Sequence, residues 1–71
     1  MKLIETETNK VVAIVVENPK TKEFELEVVE TASYELKDGE VYEKGTGTRV
    51  AFIFDEEITY VPGVYDFIYE D

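Results

Sequence analysis

Apolar and charged residues alternate along much of the chain, a pattern typical of β-strands. Phe24, Leu26 and Val28 alternate with two glutamates, so in an extended chain the apolar side chains share one face and the carboxylates share the other. At helical spacing the same three residues would spread around the helix and leave it without a face to bury. This segment therefore predicts a half-buried strand.

A continuous apolar run over residues 11–16 precedes this strand. Five of its six residues are β-branched, which favours a strand, and both alternating sets of side chains are apolar. We interpret the run as a central strand covered on both faces. An Asn-Pro pair at residues 18–19 supplies turn residues, so residues 10–17 and 22–30 are predicted to form an antiparallel hairpin.

Asp38-Gly39 is the strongest turn signal in the chain, and it lies between two further alternating segments. A type I′ turn needs positive φ at both central residues, which Asp and Gly tolerate. Such a two-residue turn pairs Lys37 with Glu40. The alternative is a short helix over residues 32–38 that ends at Gly39.

The remaining predicted strands are residues 3–8, 48–55, 58–61 and 64–70. The second of these carries Phe52 and Phe54 on one face and is expected to be well buried. Pro62 cannot donate to a strand ladder and so marks an edge, a bulge or a corner. We predict one all-β domain over residues 1–71, a small antiparallel barrel of six to eight short strands and of SH3 or OB size, because closure removes exposed edges. A seven-stranded immunoglobulin-like sandwich is the alternative.

Composition narrows the range of functions. The chain has 71 residues, 17 Asp and Glu against 7 Lys and Arg, and a net charge of −10, which disfavours direct binding to nucleic acid. Histidine and cysteine are absent, so the commonest general base is missing and no disulfide or thiolate metal site can form. No apolar run approaches the roughly 20 residues of a membrane-spanning helix, and no signal peptide is recognisable. We expect a soluble, cytoplasmic protein that is not an enzyme.

Three local clusters are candidates for chemistry, and each has a simpler interpretation. Glu23, Glu25 and Glu27 share a strand face that we interpret as solvated, because catalytic carboxylates need a cavity that separates their pKa values. The acidic turn at residues 55–57 lacks the spacing of a calcium loop. The glycine-rich residues 45–47 lack the order of a phosphate-binding loop and are interpreted as a connector or bulge. No catalytic residue, cofactor or metal ligand is predicted.

An aromatic set near the end of the sequence is the one candidate binding surface. Tyr65, Phe67 and Tyr69 alternate in sequence and so share one face of a strand. Packing in the core is one interpretation, and an exposed patch for a protein partner is the other. The neighbouring residues are acidic, which disfavours stacking on single-stranded nucleic acid.

The overall composition carries a resemblance. Gln, His, Cys and Trp are absent, Ser33 is the only serine, Arg49 is the only arginine, and Glu supplies 13 of 71 positions. Turn residues and strand patterning agree, as at residues 18–23 and 37–40, which is typical of idealised design. In these respects the chain resembles de novo designed small β-barrel and β-sandwich proteins. Hyperthermophile proteins share the enrichment in Glu and Lys, so the origin stays open.

The idealised pattern and the missing catalytic side chains suggest a structural scaffold with no natural biochemical activity. We expect a scaffold of this kind to be thermostable, monomeric and without a cofactor. One alternative is a protein-binding module that uses an edge strand or the face formed by Tyr65, Phe67 and Tyr69. Another is an acidic inhibitor that mimics the charge of nucleic acid.

Overall fold

Two antiparallel sheets of four strands each form the fold in the computed structural model, which describes residues 1–69. In chain order the strands are β1 (Lys2–Glu5), β2 (Val11–Glu17), β3 (Phe24–Val28), β4 (Tyr34–Lys37), β5 (Glu40–Glu43), β6 (Arg49–Phe54), β7 (Glu57–Tyr60) and β8 (Tyr65–Ile68). Residues 1–69 contain no helix, and hence none that is long and apolar enough to cross a membrane. The all-β prediction is confirmed.

The strand order explains how the chain is distributed between the sheets. Sheet 1 has the order β3-β2-β1-β8, and sheet 2 has the order β4-β5-β6-β7. The apolar run predicted to be a central strand is β2, which lies inside sheet 1. Among the described residues no strand ladder joins the two sheets, so hydrogen bonding does not close a barrel. Pro62 lies where the chain passes from sheet 2 to sheet 1, and it therefore occupies a corner.

The β4–β5 hairpin has the predicted register. Lys37 pairs with Glu40, and Asp38 and Gly39 have φ angles of 51° and 79°. These positive values at both central positions are those that a type I′ turn requires. The alternative helix over residues 32–38 is therefore wrong.

Asn18 organises the turn between β2 and β3. Its side-chain Oδ1 accepts a hydrogen bond from the backbone N–H of Lys20 at 2.9 Å. Its own backbone N–H donates to the carbonyl oxygen of Glu23 at 2.8 Å. The side chain holds the turn while the backbone begins the ladder, and the predicted hairpin of β2 and β3 is confirmed.

A bulge in each sheet brings consecutive residues into the core. The register shifts by one residue between β1 and β2 and again between β5 and β6, which leaves Val12 and Val50 as the extra residues. Both are buried. The core cluster that the two sheets share consists of Leu3, Val12, Ala13, Leu26, Tyr34, Val41, Val50, Ala51, Tyr65 and Phe67.

Two positions expected to be buried face outward instead. Ile14 is only half-buried, because the register places it beside Lys2 and Glu27 on the outer face of sheet 1. Phe54 is 73% exposed, because it pairs with Glu57 at the end of sheet 2. The expectations of complete cover for β2 and of a well-buried β6 are wrong at these positions. Each sheet packs against the other with one face only, so side chains on its opposite face stay in contact with solvent.

Candidate binding groove

A groove of about 890 Å³ runs beside β3, which is an edge strand of sheet 1. Its apolar lining consists of Phe24 and Leu26 from sheet 1 and of Leu36 and Ile53 from sheet 2. A second hollow of about 420 Å³ also contacts Phe24 and Ile53. The two hollows therefore form one continuous surface, which we call the β3 groove.

The backbone of β3 directs alternate residues toward its free edge. Facing residues of an antiparallel pair alternate between hydrogen-bonded and non-hydrogen-bonded positions. The bond from the Asn18 N–H to the Glu23 carbonyl oxygen marks one hydrogen-bonded position between β2 and β3. By this alternation, the backbone N–H and C=O groups of Phe24, Leu26 and Val28 point away from β2.

The groove follows this edge rather than one face of the strand. Phe24 and Leu26, on the inner face of β3, line it together with Glu23 and Glu25 from the outer set. Opposite faces of one strand border a single groove only where the groove passes along the edge of the strand. The outward backbone groups and the apolar lining therefore lie at the same place.

Several apolar side chains in the groove are exposed. Phe24 is 47% exposed, and Leu36 on the opposite side is 44% exposed. Tyr69 lines the second hollow and is also exposed. Large apolar side chains that cluster along a concave surface are typical of an interaction site, whereas single exposed ones are ordinary.

Carboxylates surround this apolar lining. Among residues 1–69, Lys22 contributes the only cationic side chain to the groove. The acidic residues that line it are Glu23, Glu25, Asp38, Glu40, Asp55, Glu56 and Glu57. Of these seven, Glu40 has an ion pair within residues 1–69, with Arg49 at 3.1 Å. The rim of the groove is therefore strongly negative.

The aromatic set predicted from the sequence is divided between core and surface. Tyr65 and Phe67 are 6% and 5% exposed and belong to the core, whereas Tyr69 is 77% exposed. The three rings do not form one exposed face. Of the three, Tyr69 alone is exposed enough to contact a partner, and it lies in the lining of the β3 groove.

Two acidic clusters for which the sequence predicted no chemistry contribute to the groove. Glu23 and Glu25 line it, whereas Glu27 does not, and the turn at residues 55–57 lies on the sheet 2 side. Sequence reasoning missed the groove because its walls come from segments that are far apart in the chain. The available signal was Phe24, an aromatic residue at the exposed start of an otherwise acidic strand.

The glycine-rich segment is a connector between β5 and β6. The N–H of Gly47 donates to the carbonyl oxygen of Glu43 at 2.8 Å, and the Thr46 hydroxyl donates to the Glu43 carboxylate at 2.7 Å. These bonds close the turn on itself. Within residues 1–69, no group of three or more His, Cys, Asp or Glu side chains is arranged to hold a metal ion.

A chain of hydroxyl groups links the two sheets away from the groove. The Tyr34 hydroxyl donates to Oε2 of Glu5 at 2.5 Å, and the hydroxyl oxygens of Tyr34 and Tyr65 are 3.0 Å apart. A phenol has one proton, so Tyr65 donates to Tyr34. Burial and the bond to Glu5 raise the pKa of Tyr34, and the bonds from Tyr34 and Thr8 lower the pKa of Glu5. Tyr34 therefore stays neutral and links the sheets rather than acting as a base.

No protein-family model, curated protein or solved structure matches this chain. The features of this chain that point to a function are therefore the groove, its free strand edge and its charge.

Proposed function

We propose that this chain is a non-catalytic protein-binding module that takes up an extended segment of a partner protein in the β3 groove. The observation that carries the proposal is the coincidence of a free strand edge with an exposed apolar lining. A segment added to β3 would pair with the outward backbone groups of Phe24, Leu26 and Val28. Its apolar side chains would cover Phe24 and Leu36, as in other cases of strand addition.

Two contributions stabilise such a complex. Each backbone hydrogen bond to the added strand contributes about 0.5–1.5 kcal/mol, and the apolar area removed from water contributes about 25 cal/mol per Å². The loss of freedom of the bound segment opposes both. For a segment of the length of β3 we expect a dissociation constant on the order of 1–100 μM.

A partly open barrel is the form of the fold that we favour. This form is supported by β3, which packs across β4, β5 and β6 even though it makes no ladder with them. The β3 groove would then be the gap through which the barrel opens. A two-layer sandwich is the alternative arrangement of the same two sheets.

A structural scaffold without a partner is the second proposal, and the resemblance to designed proteins favours it. It is supported by turns that carry the residue types they need, and by the buried side-chain nitrogen and oxygen atoms of the described residues, none of which lacks a hydrogen-bond partner. A scaffold is expected to be thermostable and to bind no peptide selectively.

Selection from a random peptide library on the immobilised protein distinguishes the two proposals. Selected peptides, titrated into ¹⁵N-labelled protein, are expected to shift the amide signals of residues 22–28 and 36–40. Phe24→Ala should weaken their binding about tenfold or more, as expected for a central apolar anchor. Phe54→Ala is the matched control, since Phe54 is more exposed but lies outside the groove. Failure to select a binder, or equal effects of the two substitutions, would overturn the binding proposal in favour of the scaffold.

A further inference from the structure

The rim of the β3 groove favours one chemical class of partner. We infer that the segment bound there is cationic, with Lys or Arg alternating with apolar residues. This inference rests on the function proposed above and names the partner of the same groove. It follows from the charge of the rim and from the alternation of side chains along β3.

The alternation along β3 determines where the partner's charges lie. Neighbouring residues on paired strands point to the same face of a sheet. On an added strand, the residues beside Glu23 and Glu25 therefore share the carboxylate face, and the residues beside Phe24 and Leu26 share the apolar face. Opposite charges on the first face and apolar side chains on the second give the favourable pairing.

The sheet 2 side of the groove adds charge of the same sign. Asp38, Asp55 and Glu56 line this side, and none of the three has an ion pair within the described part of the chain. Of the described residues that line the groove, Lys22 alone has a cationic side chain to offset them. A cleft lined by one sign of charge raises the local concentration of ligands of the opposite sign. A cationic segment is therefore attracted before it contacts the strand.

The same carboxylates oppose pairing with a second copy of this chain. Two β3 edges side by side would bring Glu23 and Glu25 next to the corresponding carboxylates of the other copy. Charged edges of this kind are a common protection against self-association of sheets. The carboxylates of the groove thus disfavour pairing with the β3 edge of a second copy and favour pairing with a positively charged strand.

Matched synthetic peptides test the inference by fluorescence anisotropy. The first peptide alternates Lys and Val over eight residues, the second has Thr in place of Lys, and the third has Glu in place of Lys. A fourth has the composition of the first in two blocks of four. We expect the alternating Lys peptide to bind about tenfold or more tightly than the Thr peptide. The Glu peptide should not bind, and the block peptide should bind more weakly than the alternating one.

Charge substitutions locate the effect on the protein. The double substitution Glu23→Gln and Glu25→Gln removes two charges from the groove, and Glu7→Gln with Glu30→Gln removes two charges outside it. The first pair should weaken binding of the alternating Lys peptide about tenfold, and the second pair should change it less than twofold. Raising the salt from 0.05 M to 0.5 M should weaken binding by the wild type more than by the groove variant.

The possible outcomes separate this inference from the proposed function. Equal or tighter binding of the Thr or Glu peptide, with shifts in the β3 amides, would overturn the cationic preference and leave the binding function standing. Equal binding of the block and alternating peptides would show that the Lys peptide is held by nonspecific charge attraction alone. That result would also overturn the inference of an alternating cationic segment. A dimer that forms through β3, detected by sedimentation, would show that the groove binds a second copy of this chain. That outcome would overturn the inference of a cationic segment. Failure of both the designed and the library-selected peptides to bind would overturn the proposed function itself.

Discussion

Removal of the Tyr34 hydroxyl tests the hydrogen-bonded link between the two sheets. Tyr34→Phe keeps the ring, which is 2% exposed and makes an edge-on contact with Tyr65 at 6.1 Å between centroids. It removes the bond to the Glu5 carboxylate and the acceptor for the Tyr65 hydroxyl. The substitution therefore isolates the polar link from the packing of the aromatic ring.

The expected loss of stability follows from these two bonds. A hydrogen bond to a charged group contributes about 1.5–3 kcal/mol, and a buried hydroxyl left without a partner costs about 1–3 kcal/mol. Water can replace part of the first contribution because Glu5 is only half-buried. We expect a net loss of about 2 kcal/mol, which in a domain of this size lowers the Tm by about 8–16 °C.

The pH dependence separates the contribution of the Glu5 carboxylate from that of the Tyr65 hydroxyl. The pKa of Glu5 is lower in the folded protein than its ordinary value of 4.5. A lowered carboxyl pKa stabilises the fold above the unfolded-state pKa, and this stabilisation disappears as the pH falls through the folded-state pKa. The difference between wild type and Tyr34→Phe should therefore be full at pH 7 and should shrink below about pH 4.

Urea unfolding followed by circular dichroism at several pH values measures this difference. Tyr42→Phe is the matched control, because the half-buried Tyr42 hydroxyl also donates to a carboxylate, that of Glu40 at 2.9 Å, but lies within sheet 2 and, among the described residues, accepts no bond from a second tyrosine. Its unfolding midpoint should stay close to that of the wild type. A loss of less than about 0.5 kcal/mol for Tyr34→Phe, or a loss that is the same at pH 3 as at pH 7, would refute the assigned role of the link.

Two further pairs of substitutions test a turn and the aromatic strand. Gly39→Ala should cost about 1–2 kcal/mol in urea unfolding, because a β-carbon at a φ of 79° is strained even where space is open. Gly45→Ala, with open space and no positive φ, should be neutral or slightly stabilising, and equal effects would contradict the turn assignment. Phe67→Ala should cost about 3–5 kcal/mol and lower the Tm strongly. Tyr69→Ala should cost about 1 kcal/mol or less, because the Tyr69 ring is 77% exposed and makes one edge contact with Phe67, at 4.9 Å between centroids. If the Tm of Phe67→Ala equals that of the wild type, the assignment of the Phe67 ring to the core is wrong.

Local features of the fold were predictable from the sequence. Asp38 and Gly39 themselves determine the β4–β5 hairpin. Both residue types tolerate the positive φ angles that a type I′ turn needs at its two central positions. The turn after β2 depends on Asn18 and residues within five positions of it. In both cases the residues that determine the structure are neighbours in the chain, so their types were sufficient.

The bulges and the groove depend on contacts between distant segments. A run in which every residue is apolar does not define which side chain faces inward, so the extra residue at Val12 was not predictable. Val50 lies in a similarly apolar strand. The groove depends on how β3 lies against residues such as Leu36 and Ile53, and periodicity contains no information on this arrangement. Phe54 looked buried for the same reason, since its alternation with Ile53 did not reveal which of the two faced the other sheet.

The position of β1 has a consequence for the order in which the protein folds. β1 lies between β2 and β8, and Glu5 pairs with Tyr65, sixty residues later in the chain. A ribosome-bound chain can form the β4–β5 hairpin early, but β1 lacks one neighbour until β8 has emerged. Closing so long a loop is entropically costly and slows folding. Completion of sheet 1 is thus a late, whole-chain event, and a nascent chain exposes one edge of β1 until then.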